Sequence, residues 1–403
     1  MLDLGPSRYT PRLVESIVLL GTLAPFEQVP TLLTHFSGVA VGVETVRRLT
    51  EALGAAAVAL DEADLARLER DLPAAPPGPA VQLLSVDGAM VPLVGGEWAE
   101  VKTLAVGTVV AGSVDATPTP DGGAIHTTDL SYCSALAEAE RFAWLATVET
   151  HRRGTESAGT VCGVTDGARW CQGFLDLHRP DAVRILDFAH AVGYLSQAAQ
   201  ARYPDDALRA RTWLLEQRHT LRHSDPDAVL ATLAACQAAL DADDAAAQVI
   251  QTAYAYLAAR REQITYAAFA AAGYPIGSGC VESANKLVVE ARLKGSGMHW
   301  ARAHVNPMLG LRTMLCSQRW SERWPLVWQG WRSQARQRTT ARRWARLAPG
   351  LDADTSMSTP APLATPASPA PPDTPAQRPK LVVNGKPTAD HPWRTTSPFR
   401  CAS

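Results

Sequence analysis

Residues 81 to 112 constrain the fold of this chain more than any other stretch. VQLLSVDGAMVPLV (81 to 94) and WAEVKTLAVGTVVAG (98 to 112) are rich in β-branched residues, and Gly95-Gly96 between them is turn material. The pattern predicts two adjacent strands joined as a hairpin. LSYCSALAEAERFAWLATVETHRRG (130 to 154) then places apolar residues at helical spacing and ends in a basic turn before Gly154, as a helix with a glycine stop should. AGTVCGVTDGARW reads as a short buried strand, and AVRILDFAHAVGYLSQAAQARYP as a strand running into a helix. The order strand, strand, helix, strand, strand, helix predicts an α/β fold around a mixed sheet.

Other segments read as helical. Residues 203 to 274 are Ala-rich with no strand signal and form a helical block inserted before YPIGSGCVESANK. Near the amino terminus, APFEQVPTLLTHFSGVAVGVETVRRLTEALG predicts a helix over roughly 25 to 36, a connection through Gly38 and Gly42, and a second helix ending near Gly54. That is the length pattern of a DNA-reading helix-turn-helix, and equally of a pair of packing helices. Composition breaks at DLPAAPPGPA (71 to 80) and at a Pro/Ala/Ser/Thr-rich run from Pro349. These read as a linker and a disordered tail. The expected organisation is a helical region over 1–72, a linker over 73–80, an α/β core over 81–202, the helical insertion over 203–274, core completion over 275–348 and the tail over 349–403.

Length and cysteine usage narrow the class. At 403 residues the chain can hold two or three domains of roughly 100 to 200 residues each, with no need of disulfides. Seven cysteines, an odd number without zinc-knuckle spacing, suit a reducing cytoplasm. The start MLDLGPSRYTPRLVESIVLLGTLAPF reads as neither signal peptide nor anchor, and no stretch approaches the roughly 18 apolar residues of a membrane span. No Walker pattern and no GxSxG elbow occurs, which argues against a P-loop nucleotide site and an acyl-transfer serine.

Three carboxylates stand out by position. Asp87 lies in SVDGAM on the first strand, Asp166 closes TVCGVTDG, and Glu282 follows the Gly277-Ser278-Gly279 turn. Hard oxygen ligands on rigid strand and helix ends suit a pair of divalent ions about 4 Å apart. Singly, each has a plain reading: Asp-Gly is a common turn dipeptide, and Glu282 could pair with Lys286 one turn on. A turn-only role, however, predicts polar flanks where these have apolar ones. Asp187, followed by His190, could be a metal ligand, a supporting residue or a helix cap. Strand order favours Asp166 as the direct ligand, with Asp187 and His190 in support.

SVDGAM, WAEVK, TDGARW, ILDFAHAVGYL, YPIGSGCVESANKLVVEARLKGSGMHW and RPKLVVNGKPTADHPWR together resemble insertion-sequence transposases of the bacterial ISKra family, a branch of the DDE transposases. The resemblance covers roughly residues 10 to 348 plus the tail motif. It implies an RNase H-like core interrupted by an all-α insertion. It also implies that Asp87, Asp166 and Glu282 hold two Mg2+ (or Mn2+) ions for DNA cleavage and strand transfer. Asp187-Phe188-Ala189-His190 is similar to the Asp-x-x-His or Cys-x-x-His signature of related Mutator-like transposases. The implied partners are double-stranded DNA, as terminal inverted repeats and target, and further copies of the chain in a synaptic complex at the bacterial nucleoid. Relatives often carry an amino-terminal cysteine-rich segment, whereas no cysteine precedes Cys133 here, as in a shortened copy or one whose start lies upstream.

The net charge of -2 argues at face value against nucleic acid, but its distribution does not. Residues 286 to 346 hold thirteen Lys and Arg against only Glu290 and Glu322, a local net charge of +11. Tryptophans interleave them, a mixture suited to phosphate contact and base stacking. The expected DNA contacts are Lys286, Arg292, Lys294, His299, Trp300, Arg302, Arg342 and Arg343, with Lys102 on the second strand. Trp320, Trp324 and Trp331 fall at helical spacing, which suits a core. The competing reading is a catalytically inactive transposase-derived DNA-binding protein or repressor.

Overall fold

The computed structural model describes residues 9–110, 125–241 and 244–347, together with 382–383 and 386–387. Residues up to 94 and from 98 to 333 form one compact unit, which carries the whole sheet. The second unit comprises residues 95–97 and 334–403, where the described parts include the end of a long helix and a pair of two-residue strands, Val382–Val383 and Lys386–Pro387. The rest of the expected tail lies outside the described residues.

One mixed five-stranded sheet forms the centre. β1 (Val81–Pro92) and β2 (Trp98–Val110) make the expected antiparallel hairpin, in register from Gln82 opposite Thr108 to Pro92 opposite Trp98. β3 (His126–Ala135) adds antiparallel to β2; β4 (Thr160–Thr165) and β5 (Val183–Leu186) add in parallel on the other side of β1. The order is β3-β2-β1-β4-β5.

The helical reading of 130 to 154 is corrected over its first part. Residues up to Ala135 belong to β3, and the helix starts only at Ala139. Helical spacing misled there because this edge strand is covered by residues far along the chain: Asn306 Oδ1 accepts from the Leu136 N–H and Ser317 Oγ from the Tyr132 N–H.

In chain order the helices are α1 (Pro11–Leu23), α2 (Val29–Ser37), α3 (Val43–Asp71), α4 (Ala139–Arg152), α5 (Arg169–His178), α6 (Phe188–Arg202), α7 (Ala207–His223), α8 (Pro226–Ala238), α9 (Ala245–Ala258), α10 (Tyr266–Ala271), α11 (Gly279–Ala284), α12 (Ala291–Leu293), α13 (Arg302–Cys316) and α14 (Trp320–Leu347). A π-helical stretch, Asn285–Glu290, joins α11 to α12.

Strand alternation sorts these helices between the faces of the sheet. Leu84 and Val86 of β1 point to a core shared with Phe142 and Ala146 of α4 and Phe174 and Leu175 of α5. Leu83, Ala89 and Val91 point the other way. Leu83 joins the core of α6 and the helical insertion, with Leu195, Leu221, Leu233, Ile250 and Leu257. Ala89 and Val91 join Val281, Val288 and Leu293 beneath α13. Asp87 has the parity of Leu83 and Ala89, so it emerges where these two cores meet.

The amino-terminal helices differ from expectation. α3 does not stop near Gly54 but continues to Asp71. A Cβ at Gly54 would lie 2.3 Å from the Pro307 carbonyl oxygen, so the glycine marks a close crossing with α13 rather than a helix end. Gly38 does cap α2, in the left-handed conformation (φ 68°). Nor is 1–72 walled off from the rest: Val14, Ile17, Val29, Leu33, Leu49 and Leu53 share a core with Leu311, Met314, Trp324, Val327 and Trp331.

Candidate active site

The sheet register brings the aspartates to one level. Leu84 lies opposite Gly163, so Asp87 and Asp166, each three residues further along parallel strands, reach the same height. Thr165 lies opposite Leu186, so Asp166 and Asp187 each stand one residue beyond that pair. Ligand sites in α/β sheets form at such carboxyl ends. α11 then brings Glu282 across from the far side of the insertion. Val86, Asp87, Asp166, Asp187, His190, Ser278 and Glu282 line a single cleft of about 280 Å3.

Each carboxylate has a distinct setting. Asp87 remains inside β1, opposite Thr103, so its Asp-Gly pair is not a turn; Oδ1 accepts from the Gly88 N–H (2.7 Å) and Oδ2 from the Asn285 amide (2.9 Å). Asp166 does begin a turn, with Gly167 at φ +79°, and its Oδ1 accepts from the Ala168 N–H (2.8 Å). Glu282 is exposed, and its Oε1 accepts from Ser278 Oγ (3.1 Å). Asp187 is buried and caps α6: Oδ2 accepts from the His190 N–H and Oδ1 from the Ser278 N–H, both at 2.7 Å. Both of its oxygens are thus spent holding backbone, one of them in the turn that launches α11.

Burial holds the Asp87 carboxyl above the usual carboxylate range, and the charges of Asp166 and Glu282 push it further; the Gly88 N–H and the Asn285 amide pull the other way. No Lys or Arg is among the lining residues. Negative oxygens gathered without an internal counter-charge are the donor chemistry that Mg2+ or Mn2+ takes. Among the described residues, however, no three His, Cys, Asp or Glu side chains stand together as a ready-made ligand set. The donor type and charge of Asp87, Asp166 and Glu282 suit such ions, and these are the residues that would hold them.

The expected DNA contacts divide. Lys286, His299 and Arg302 are exposed, and Lys286 makes no ion pair with Glu282. Lys294 is half-buried and paired with Glu290 at 2.6 Å. Three others are buried in internal contacts, which leaves little of them for a phosphate to meet. The Lys102 side chain is 8% exposed; it pairs with Glu100 and reaches the Ala137 carbonyl. Arg292 is 2% exposed, donates to the Gly21 carbonyl and lies between the rings of Phe26 and Trp300. Trp300 is itself buried and bridges by backbone to Pro92 and Val94. Arg342 and Arg343 fall in α14, where their side chains lie outside the described residues.

Two sets of site residues escaped the sequence reading. Asn285, three places after Glu282, orients Asp87, and its signal was its place in the run ESANK. Tyr256 and Arg260 hold the backbone at Asp166 and Gly167, and nothing in their Ala-rich surroundings marks them. Comparison with protein-family models and with curated proteins finds no match for this chain.

Proposed function

We propose that the chain is a DDE transposase of the ISKra type, which cuts and joins DNA at the cleft of Asp87, Asp166 and Glu282. One observation carries the reading: carboxylates separated by up to 195 positions in sequence line one cleft with no Lys or Arg among them. The order β3-β2-β1-β4-β5, with β2 antiparallel to β1 and both β4 and β5 parallel to it, fits an RNase H-like core. The helices α7 to α10, between β5 and Glu282, stand where the family's insertion belongs.

Divalent ions bound there would supply activation of the attacking oxygen and charge stabilisation at phosphorus. The chain's own residues do the rest. Asn285 fixes the Asp87 carboxylate, Ser278 orients Glu282, and Asp187 ties the Ser278 turn to the end of β5. Exposed Lys286 and Arg302, with His299, would meet the phosphate backbone. The α2–α3 pair would read element ends, and a second copy of the chain would pair two ends. The cytoplasm and its nucleoid are the matching location; no described helix is long and apolar enough to cross a membrane.

A non-catalytic DNA-binding protein is the second reading, favoured by the lack of a ready-made three-residue ligand set among the described residues. Mg2+-dependent nicking of duplexes carrying the element's terminal inverted repeats separates the two. Nicking by the wild-type chain is expected; tight binding with no cleavage in Mg2+ or Mn2+ would favour the repressor.

A further inference from the structure

The helical insertion reaches the Asp166 side of the cleft through the end of α9. Tyr256, near the end of α9, donates its hydroxyl to the Asp166 carbonyl at 2.6 Å. Arg260, two residues past that helix, donates Nη2 to the Gly167 carbonyl at 3.0 Å and Nη1 to the Tyr256 carbonyl at 3.2 Å. Its guanidinium lies 3.7 Å from the centroid of the Tyr256 ring. That ring also stacks on Tyr194 of α6, at 3.9 Å and 14°. Two donors from the insertion therefore grip consecutive carbonyls of the turn that carries Asp166, and α6 backs the gripping ring.

The turn is shaped for this grip. Gly167 has φ +79°, and a Cβ there would lie 2.7 Å from the Tyr256 hydroxyl and 2.8 Å from Arg260 Nε. Only glycine admits both the backbone conformation and the approach. The turn in turn sets the carboxylate, since Asp166 Oδ1 accepts from the Ala168 N–H.

We propose that Tyr256 and Arg260 are positioning residues that clamp the Asp166–Gly167 turn, so that the helical insertion fixes the direction of a cleft carboxylate. The value of the clamp for metal binding rests on the function proposed above; the clamp itself does not. Ligand-orienting contacts of this kind govern metal affinity without touching the metal. A packing role alone would show in overall stability, whereas a clamp shows at the turn and in metal affinity.

The test uses the full chain with Mn2+ as probe, followed by electron paramagnetic resonance, and hydrogen–deuterium exchange of the peptide spanning residues 165 to 169 without metal. Tyr256→Phe keeps the ring and its stacking but loses the donor; Arg260→Gln loses the fork. Each is expected to weaken Mn2+ binding about 10-fold, the lower end for lost ligand-orienting contacts, and to speed exchange at the turn while the strands of the core exchange as in wild type. Tyr194→Phe, which keeps the stacked ring, is expected to change neither. Wild-type exchange at the turn in both Tyr256→Phe and Arg260→Gln would overturn the clamp. A wild-type chain that binds no Mn2+ would instead count against the metal reading, and the exchange measurement would still decide the clamp.

Discussion

At the cleft, what separates Asp166 from Asp187 is how much of each carboxylate the fold consumes. Asp187 satisfies two backbone N–H groups, a partly buried one at the start of α6 and a buried one in the Ser278 turn. Asp187→Ala should therefore destabilise the protein by about 1–3 kcal/mol, the usual cost of a lost cap and an orphaned buried donor, as read by urea unfolding. Stability indistinguishable from wild type would mean that those bonds contribute nothing. His178 gives a pH signature: burial pushes its imidazole down to about 4, against the pull of the Ala143 carbonyl and of Glu156. A depressed base folds best when neutral, so its contribution is complete above about 6.5 and is lost as pH falls towards 4. Urea midpoints should drop over that window, and His178→Gln should flatten the drop. That Asp87 and Asp166 stand together could be suspected from sequence because each interrupts or ends an apolar strand, and Glu282 because it follows the Gly277-Ser278-Gly279 turn. Asn285, Tyr256 and Arg260 could not, because each acts on a residue at least 90 positions away.

Elements were legible where their pattern was local. The β1–β2 hairpin, the strands before Asp166 and Asp187, and the helical block could each be read from spacing. Gly54 could not, since a glycine at a helix end and one at a helix crossing look alike in sequence. The crossing makes a definite prediction. Gly54→Ala must push α3 off the Pro307 carbonyl, and should cost about 1–3 kcal/mol, as overpacked cores do, rather than the slight gain that alanine brings to an uncrowded helix. A raised melting temperature in Gly54→Ala would contradict the close approach. α14 bears out the core reading of Trp324 and Trp331, which are buried; Trp320, Trp324, Trp328 and Trp331 run along it in contact, ring to ring.

Across the whole molecule, the run of thirteen cations is less of a DNA surface than its count suggests. Arg292 and Arg312 donate to buried backbone carbonyls, Arg319 pairs with Glu149, and Arg323 pairs with Asp61 and Asp64. Sequence could not show this, because each partner lies on a distant element or is a backbone group. The same long-range packing joins the amino-terminal helices to residues 311–331. Removing residues 1–72 would uncover Leu311, Met314, Trp324, Val327 and Trp331, and the shortened protein should aggregate or lose helicity beyond the deleted segment, as read by circular dichroism. A shortened chain that keeps a cooperative melt would show that the shared core is dispensable. Asp87, Asp166 and Glu282 are proposed as the working set of a DNA-cutting site. The most direct test compares Mg2+-dependent nicking of terminal-repeat duplexes by wild type, Asp87→Asn, Asp166→Asn and Glu282→Gln, with DNA affinity measured alongside. Cleavage by wild type alone, at similar DNA affinity throughout, is the predicted result; wild-type cleavage by Asp166→Asn would contradict it.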